Sequence, residues 1–332
     1  MLALLVGLFT ALGEPELLEL AAAFDLGALQ AWQPIAAGTI NTNLALTTAR
    51  GRFFIRLNEG KAEQDVAWEA RLIMALAAAG VPAPPPLCAR DGRPYVACVG
   101  KWASAFPWRA GHHLAAEQIT PAIAGTAGAA LAQLHLAGLA LPVAWHRGSI
   151  YDHDHLVARF ERCAQVDDAA LTHAFAIIRE ELALAHACRS IREAATHGII
   201  HGDLFRDNVL WEGERLTAIL DFEQASGGSL PYDLAVAIND WCWIGDPPRG
   251  AAVSIELASA LVAGYQRLRP LTAADRAALP VELRAAATRF TLTRITDVYL
   301  ARVDNPDKDF RAFLARAEAW RGPALGQLTS SV

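Results

Sequence analysis

The sequence lacks the features that mark several classes of protein. It contains no run of five or more Lys and Arg residues, and its formal net charge is −6, so it offers no basic field for polyphosphate. We therefore expect no nucleic-acid partner. Its five cysteines are odd in number, widely spaced and without a C-x-x-C pair, which argues against a disulfide framework and a zinc site. Buried thiols in a reducing cytosol are the simpler interpretation.

A typical targeting segment is absent as well. Residues 1–12 are apolar, but no Lys or Arg precedes them as in a secretory signal, and the run is too short to span a bilayer. We interpret it as a packed or frayed N-terminal helix, or as an overlong start. Internal repeats and low-complexity linkers are also missing. These features predict a cytoplasmic protein with no membrane partner.

What the sequence does contain is enough chain for two lobes. With 332 residues, each of two lobes can bury its own core. The composition is 53% hydrophobic and 19% charged, and much of the apolar excess is alanine. This balance favours a helix-rich, well-packed protein.

Local patterns place much of the β-structure in the first third of the chain. Between residues 30 and 57, short apolar stretches are separated by turn signals at 37–39 and 49–51, which predicts a small antiparallel sheet. Residues 61–79 have helical spacing that ends at Gly80, before a proline-rich connector. Residues 95–106 can supply one or two more strands.

The rest of the chain has mainly helical patterns. Helical segments are predicted near residues 115–138, 168–196, 231–243, 251–267 and 272–302, with short β-like runs at 199–202, 208–211 and 216–221. We therefore predict an α+β protein with a small β-rich N-terminal lobe, residues 1–107, preceded by a helix. A larger, mainly helical lobe is predicted over residues 108–332.

The most informative stretch is His-Gly-Asp-Leu-Phe-Arg-Asp-Asn at residues 201–208, followed after a β-like run by Asp221. Phosphoryl transfer needs a carboxylate that receives or orients the attacking hydroxyl, and oxygen ligands that hold Mg²⁺ on the phosphates. Asp203, Asn208 and Asp221 supply these groups. An isolated D-x-x-x-x-N is a weak signal because both residues are common in turns, but the whole set after a β-rich first third is much more specific.

These motifs resemble those of the aminoglycoside phosphotransferase and choline kinase superfamily, whose members carry H-G-D where protein kinases carry H-R-D. Within it, bacterial homoserine kinases are similar over nearly the whole chain, on residues 37–43, 201–210, 219–223, 232–235, 238–242, 289–294, 297 and 308–310. The resemblance implies a protein-kinase-like two-lobed fold of the aminoglycoside phosphotransferase type. It further implies transfer of phosphate from ATP to L-homoserine, a step of threonine biosynthesis.

The resemblance also implies roles for particular residues. Asp203 would be the catalytic base, with Asn208 and Asp221 as Mg²⁺ ligands. His201 is then a brace for the loop, since a base is already present. Asp233, at the start of a predicted helix, is expected to act as a cap or loop brace.

In the small lobe, Gly38, Thr39 and Asn41 fall between two predicted strands, where a kinase places its phosphate-covering loop. The same residues also suit an ordinary hairpin turn. Arg56 stands where the usual lysine of the third strand is missing, and arginine can bind phosphate bidentately. Glu69 points with the buried face of its helix and is the obvious partner for Arg56, although an exposed position at the edge of that face is the alternative.

Adenine and the acceptor need further side chains. Phe106 and Trp108, in the connector between the lobes, are expected to lie against adenine, with packing as the alternative role of Trp108. An acceptor with an ammonium and a carboxylate needs an acid and a base near the catalytic loop. The motif match offers four candidates, of which the charged ones are equally compatible with ion pairs between helices: Arg206, Asp240, Trp241 and Arg294.

Two other functions are compatible with the sequence. A kinase of choline, ethanolamine, methylthioribose, an amino sugar or an aminoglycoside would share the fold and the loop, because one fold hosts many substrates. A pseudokinase-like binding module would share the fold without the chemistry. The missing lysine leaves room for it, whereas Asp203, Asn208 and Asp221 argue against it.

Overall fold

A computed structural model of the chain describes residues 10–35, 41–245 and 252–331. The described residues form two units. The first contains those up to Gly111 together with Thr217–Leu220, and the second contains His112–Leu216 and the residues from Asp221 onward. The roles that we assigned to the lobes on either side of residue 107 stay predictions.

The first unit is built on one antiparallel sheet of five strands in the order β1-β2-β3-β5-β4. Its elements are α1 (Glu14–Ala23), β1 (Leu29–Pro34), β2 (Thr42–Thr48), β3 (Gly51–Asn58), α2 (Glu63–Ala78), β4 (Val96–Cys98) and β5 (Lys101–Pro107). Leu44 and Leu46 of β2 and Ile55 and Leu57 of β3 are buried together with Leu17 of α1. The sheet therefore forms where the sequence alternates, and α1 covers part of its apolar surface.

Helix α2 presents one buried face, as its spacing predicts. Val66, Glu69, Ala70 and Ile73 are buried on it. The carboxylate of Glu69 is thus on the inner side of the helix rather than at an exposed edge, and it needs partners there.

The second unit is mainly helical, with short strands at its centre. Its elements are α3 (Pro121–Leu139), α4 (His153–Cys163), α5 (Thr172–Ala187), α6 (Arg189–Ala194), β6 (His197–Ile200), β7 (Val209–Glu212), β9 (Ser226–Ser229), α7 (Leu230–Trp241), β10 (Trp243–Ile244), β11 (Ala252–Val253), α8 (Ile255–Leu268), α9 (Ala273–Arg294), α10 (Phe310–Ala319) and α11 (Pro323–Ser331). Strand β8 (Arg215–Ile219) follows β7, and its last residues belong to the first unit. Strand β6 pairs with β9, and α9 packs against α5, α7 and α10.

Helix α3 is apolar on nearly all sides because it packs closely on α8. It begins where the hydroxyl of Thr120 accepts a hydrogen bond from the Ile123 N–H and Pro121 opens the first turn. Among the described residues it is the one helix long and apolar enough to cross a membrane, with 61% of the apolar window buried inside the protein. A Cβ on Gly128 would lie 2.0 Å from the carbonyl oxygen of Leu261, and one on Gly264 would lie 2.0 Å from that of Gly125. The two backbones can approach this closely only because both positions are glycine.

Replacing Gly128 by alanine is expected to lower the free energy of unfolding by about 3 kcal/mol, because the added methyl group forces two packed helices apart. Chemical denaturation measures the loss. Gly148→Ala is the control, since a Cβ at that position meets nothing within 4 Å and should change stability by less than about 0.5 kcal/mol. Equal stability of the two variants would contradict the close packing of α3 on α8.

The fold class predicted from the sequence is confirmed, whereas several elements were not predicted. The elements that were not predicted from the sequence include helices α4, α10 and α11 and strand β9. Residues 226–229 read Ser-Gly-Gly-Ser, which carries no strand signal, and they become a strand because they pair with β6. Most of the apolar N-terminal stretch lies outside the described residues, and α1 begins just after it.

Candidate active site

The loop between β6 and β7 carries the predicted base. The carboxylate of Asp203 accepts a hydrogen bond from the side-chain amide of Gln224 at 3.2 Å, and Nη1 of Arg289 lies 3.9 Å from its other oxygen. Arg289 also donates to the side-chain oxygen of Gln224. Arg289 and Gln224 therefore orient the carboxylate from one side, with about 19% of its side chain exposed.

The same loop is held from behind by one buried carboxylate. Asp233, at the start of α7, accepts hydrogen bonds from the backbone N–H groups of His201 and Gly202, each at 2.7 Å. His135 of α3 contacts one of its oxygens at 3.0 Å, and the hydroxyl of Tyr265 lies 2.7 Å from the other ring nitrogen of His135. Asp233 is thus a loop brace, one of the two roles that the sequence suggested for it.

Local backbone geometry explains why the loop has this sequence. Gly202 has φ +78°, and a Cβ there would lie 3.0 Å from the carbonyl oxygen of Gln224, so glycine suits the position best. His201 is fully buried, its Nδ1 lies 3.3 Å from the N–H of Asp203 and its ring packs on Phe222. The predicted bracing role of His201 agrees with these contacts.

Asn208 and Asp221 offer oxygen atoms of the kind that Mg²⁺ prefers. The side-chain N–H of Asn208 donates to the Asp203 carbonyl at 2.8 Å, which leaves the amide oxygen as the acceptor of this side chain. Asp221 is exposed and has φ +59°, a strained conformation typical of functional positions. No group of three or more His, Cys, Asp and Glu side chains within the described residues could hold a metal ion. Mg²⁺ usually takes one or two protein oxygens beside substrate phosphates, so these two residues fit it.

Burial is the main influence on the charge of Asp203. It raises the pKa of this carboxyl from 3.8 to about 6, against the opposing effect of Arg289. Because the pKa is higher in the folded chain than in the unfolded chain, folding favours the protonated form. The resulting stabilisation is fully present below pH 3.8 and is lost as the pH rises through about 6.

We therefore expect Asp203→Asn to stabilise the protein at pH 8 by up to about 3 kcal/mol when nucleotide and metal are absent. The difference from the unsubstituted chain should shrink as the pH is lowered and disappear near pH 4, because an amide does not titrate. Urea unfolding at several pH values measures it. A constant difference between pH 4 and pH 8 would contradict the raised pKa of Asp203.

The predicted acceptor residues Arg206, Asp240 and Trp241 contact the loop or one another. Asp240 is buried and accepts hydrogen bonds from the backbone N–H of Arg206 at 2.8 Å and from its Nε at 3.1 Å. Trp241 is 1% exposed, and its indole N–H donates to the Leu204 carbonyl at 2.9 Å. The ion pair that was the alternative to acceptor binding for Arg206 and Asp240 is therefore present, and the buried Trp241 supports the loop. Contacts of these three residues with an acceptor stay predictions.

Arg294 has a different setting. It donates to the Asp309 carbonyl at 3.1 Å, and its guanidinium lies 4.4 Å from the centre of the Phe313 ring. Burial lowers its pKa, while the charges of Asp240 and Asp203 oppose that shift. Both carboxylates therefore favour the charged form of Arg294.

In the first unit, Arg56 of β3 and Glu69 of α2 form the predicted ion pair. Nη2 of Arg56 lies 2.6 Å from Oε1 of Glu69, and both side chains are buried. Lys61 approaches the other oxygen of Glu69 at 3.2 Å. Burial alone would raise the pKa of Glu69, but the two cations hold it below its ordinary value. The contact of Lys61 with Glu69 was not predicted from the sequence, because Lys61 lies just before α2 and not on a strand.

The other predicted nucleotide residues are less informative. Phe106 is buried beside Phe54, and Trp108 is stacked under Arg52, whose guanidinium lies 3.6 Å from the ring centre. The side chain of Asn41 accepts a hydrogen bond from the Glu59 N–H at 3.0 Å. Gly38 and Thr39 lie outside the described residues. Contacts of all these residues with a nucleotide stay predictions.

Two residues beside Asp203 were not proposed for the site from the sequence. Arg289 belonged to the stretch of resemblance but received no role, and Gln224 follows the Asp-Phe-Glu motif without any signal of its own. Their function depends on contacts between segments that are distant in sequence, so a local pattern could not reveal it.

Comparison with protein families agrees with this site. Residues 31–271 match the model of the Phosphotransferase enzyme family. The homoserine kinase of Nitrobacter hamburgensis is 33% identical over 293 residues, which cover 88% of this chain and 87% of that protein. The homoserine kinase of Parvibaculum lavamentivorans is 31% identical over 326 residues, covering 96% and 97%.

Solved structures with a similar fold are also kinases. An amicoumacin kinase in complex with AMP-PNP and Ca²⁺ has a TM-score of 0.71 at 16% identity and covers 93% of this chain and 94% of its own. A choline/ethanolamine kinase family protein from Mesorhizobium loti has a TM-score of 0.67 at 20% identity, covering 96% and 97%. At these identities the likeness concerns the fold alone. The family match, which spans more than half of the sequence, shows that the chain belongs to the Phosphotransferase enzyme family.

Proposed function

We propose that this protein transfers the γ-phosphoryl group of ATP to the hydroxyl of L-homoserine, giving ADP and O-phospho-L-homoserine. The observation that carries the proposal is the one-third identity to homoserine kinases over 88% of the chain. The loop from His201 to Asn208 lies within the residues that match the family model. The cytoplasm, where ATP and amino acids are available, is the location that we propose for it.

Asp203 is the residue that acts on the acceptor hydroxyl. Its carboxylate is held by Gln224 and Arg289, and its backbone by Asn208, so that it can accept or orient the proton of the hydroxyl during attack. Asn208 and Asp221 are the residues that would hold Mg²⁺. When bound, the ion neutralises charge on the transferring phosphate. Because phosphoryl transfer needs little covalent help, a rigid, braced loop contributes mainly by positioning.

The charged groups near the loop suit an amino-acid acceptor. Arg294 can pair with the carboxylate of homoserine, since its guanidinium is only partly engaged by the Asp309 carbonyl. Asp240 and Asp203 are the acids available for the ammonium group. Arg206 already occupies Asp240, so an incoming ammonium would share that carboxylate. An amino alcohol such as choline would have no use for the cation of Arg294.

An acceptor panel tests this function directly. The protein is assayed with ATP and Mg²⁺ for ADP release in the presence of L-homoserine, choline, ethanolamine, methylthioribose or an aminoglycoside. We expect homoserine to give the highest kcat/KM. ADP release with another of these compounds but not with homoserine would refute the assigned substrate and leave the family intact.

Arg56 is expected to contribute to nucleotide binding. Arg56→Met should raise the KM for ATP roughly 10-fold, because a charge-assisted contact to phosphate is lost. The substitution also removes the ion pair of Glu69 with Arg56, which weakens packing in this unit. Steady-state kinetics are therefore measured well below the unfolding temperature, where the variant is folded. Arg71→Met, at an exposed position on α2, is the matched control. An unchanged KM in the Arg56 variant would rule out the phosphate role.

A further inference from the structure

The segment that joins β8 to β9 carries two residues of the site described above. It contains Asp221, and it contains Gln224, whose side-chain amide donates to the carboxylate of Asp203 at 3.2 Å. Residues 221–225 belong to neither a helix nor a strand, so their carbonyl groups are not satisfied by the regular ladder of a helix or a sheet. The groups that hold this backbone therefore decide where the side chain of Gln224 lies.

Arg147 holds this backbone from the connection between α3 and α4. Its Nε donates to the carbonyl of Ala225 at 2.9 Å, and its Nη2 donates to the carbonyl of Glu223 at 2.7 Å. These carbonyls belong to the residues immediately before and after Gln224. One planar guanidinium thus fixes the chain on both sides of Gln224, with a two-donor geometry that lysine cannot reproduce.

A further contact joins the same two segments in the opposite direction. The carbonyl of Arg147 accepts a hydrogen bond from the N–H of Gly227 at 2.8 Å. A Cβ on Gly227 would lie 2.7 Å from the Cβ of His146, so glycine allows the close approach. Arg147 is therefore tied to residues 223–227 by its side chain and by its backbone.

The side chain of Gln224 is fixed from another direction. Arg289 donates to its amide oxygen, and this contact leaves the amide N–H groups to face Asp203. The carbonyl of Gln224 lies 3.0 Å from the place that a Cβ on Gly202 would occupy, so the two segments are also in close contact along their backbones. A displacement of about 1 Å in such a site can lower the rate roughly 10²-fold.

We propose that Arg147 is a positioning residue for phosphoryl transfer, which fixes the backbone around Gln224 and thereby the orientation of the Asp203 carboxylate. The inference rests on the proposed role of Asp203, but it does not depend on the identity of the acceptor. A purely structural role of Arg147 would change stability without a selective effect on kcat, and it would show no coupling to the side chain of Gln224.

A double-mutant cycle of Arg147→Met and Gln224→Ala tests the proposal. The variants are assayed with ATP, Mg²⁺ and the acceptor that gives the highest kcat/KM. Each single substitution is expected to lower kcat about 10-fold and to leave the KM for ATP within about 3-fold. The double variant should also lose about 10-fold and not about 100-fold, because Arg147 has no effect on Asp203 once the side chain of Gln224 is absent.

Two further variants complete the cycle. Arg147→Lys keeps the charge but loses the two-donor geometry, so kcat should fall by only about 3-fold, and this loss should disappear in the Gln224→Ala background. It replaces Arg147→Met in the cycle if that variant does not fold. The matched control is Arg276→Met, which removes another contact of arginine with a backbone carbonyl, that of Leu271 at 2.6 Å. Its kcat should stay within about 2-fold.

Hydrogen exchange followed by mass spectrometry tests the same contact without turnover. In Arg147→Met, peptides that contain residues 221–229 should exchange at least about 10-fold faster, whereas peptides from α8 should be unchanged. A protein that releases no ADP with any acceptor but shows this change would refute the proposed function and leave the contact of Arg147 intact.

Three results would overturn the proposal. The first is a product of the two single losses in the double variant, which would mean that Arg147 does not act through Gln224. The second is an unchanged kcat in Arg147→Met despite faster exchange of residues 221–229. The third is unchanged exchange of these residues, which would show that Arg147 does not hold the segment.

Discussion

Replacing Asp203 by asparagine is expected to lower kcat for phosphoryl transfer by at least about 10²-fold. The amide keeps a hydrogen bond with Gln224 and occupies the same volume, but it cannot accept a proton from the attacking hydroxyl. The KM for ATP should change little, because Asp203 is not among the residues expected to contact the nucleotide. Steady-state assays with varied ATP and saturating acceptor separate the two parameters.

The control for this substitution is Asp207→Asn in the same loop. Asp207 is exposed and has no assigned role in binding or transfer. The kcat of the Asp207→Asn variant should therefore stay within about 3-fold of that of the unsubstituted chain. If Asp203→Asn retained full activity, the base would have to be another group. If both variants lost activity equally, the loss would report the net charge of the loop.

Removing the carboxylate of Asp233 is expected to have the largest effect on folding. In Asp233→Ala, the N–H groups of His201 and Gly202 lose their acceptor in a fully buried position, and His135 loses its partner. Breaking a buried, hydrogen-bonded charge in this way typically costs about 3–5 kcal/mol. We expect a loss of that size in the free energy of unfolding, measured by urea denaturation, together with a fall in kcat because the loop that carries Asp203 is released.

The contribution of Asp233 should also depend on pH. Although burial opposes ionisation, His135 and the backbone donor His201 hold the pKa of Asp233 below its ordinary value of 3.8. A lowered pKa in the folded chain means that this stabilisation is present above pH 3.8 and is lost as the pH falls further. The control is Asp297→Ala, which removes an exposed carboxylate paired with Arg159. This substitution should lower the free energy of unfolding by less than about 1 kcal/mol. Equal stability of the two alanine variants would contradict the bracing role.

Much of the fold follows from local patterns. The apolar residues at every second position of β2 and β3, the helical spacing of α2 and the end of that helix at Gly80 are visible in the sequence, because side chains on one face repeat every two residues in a strand and every 3.6 in a helix. The strands and helices that escaped prediction lacked such patterns. Strand β9 is rich in glycine, and α4 contains several histidines and charged residues.

The sequence by itself was enough to predict a chemical centre. Asp203, Asn208 and Asp221 are close together in the chain or follow one short strand pair, and the residue types that phosphoryl transfer needs are few, so their spacing was sufficient to predict a kinase. The family match agrees with that prediction. The role of each residue and the identity of the acceptor stay proposals that the assays above can decide.

Only the tertiary structure decided which groups support that centre. Asp233 reaches a loop 31 residues earlier in the chain, and Arg289 lies 86 residues beyond Asp203. These contacts depend on how α7 and α9 pack against β6 and the neighbouring helices, and packing joins residues whose separation in sequence carries no signal. A local motif can therefore specify the reacting groups, whereas the hydrogen bonds that hold them in place exist only in the folded chain.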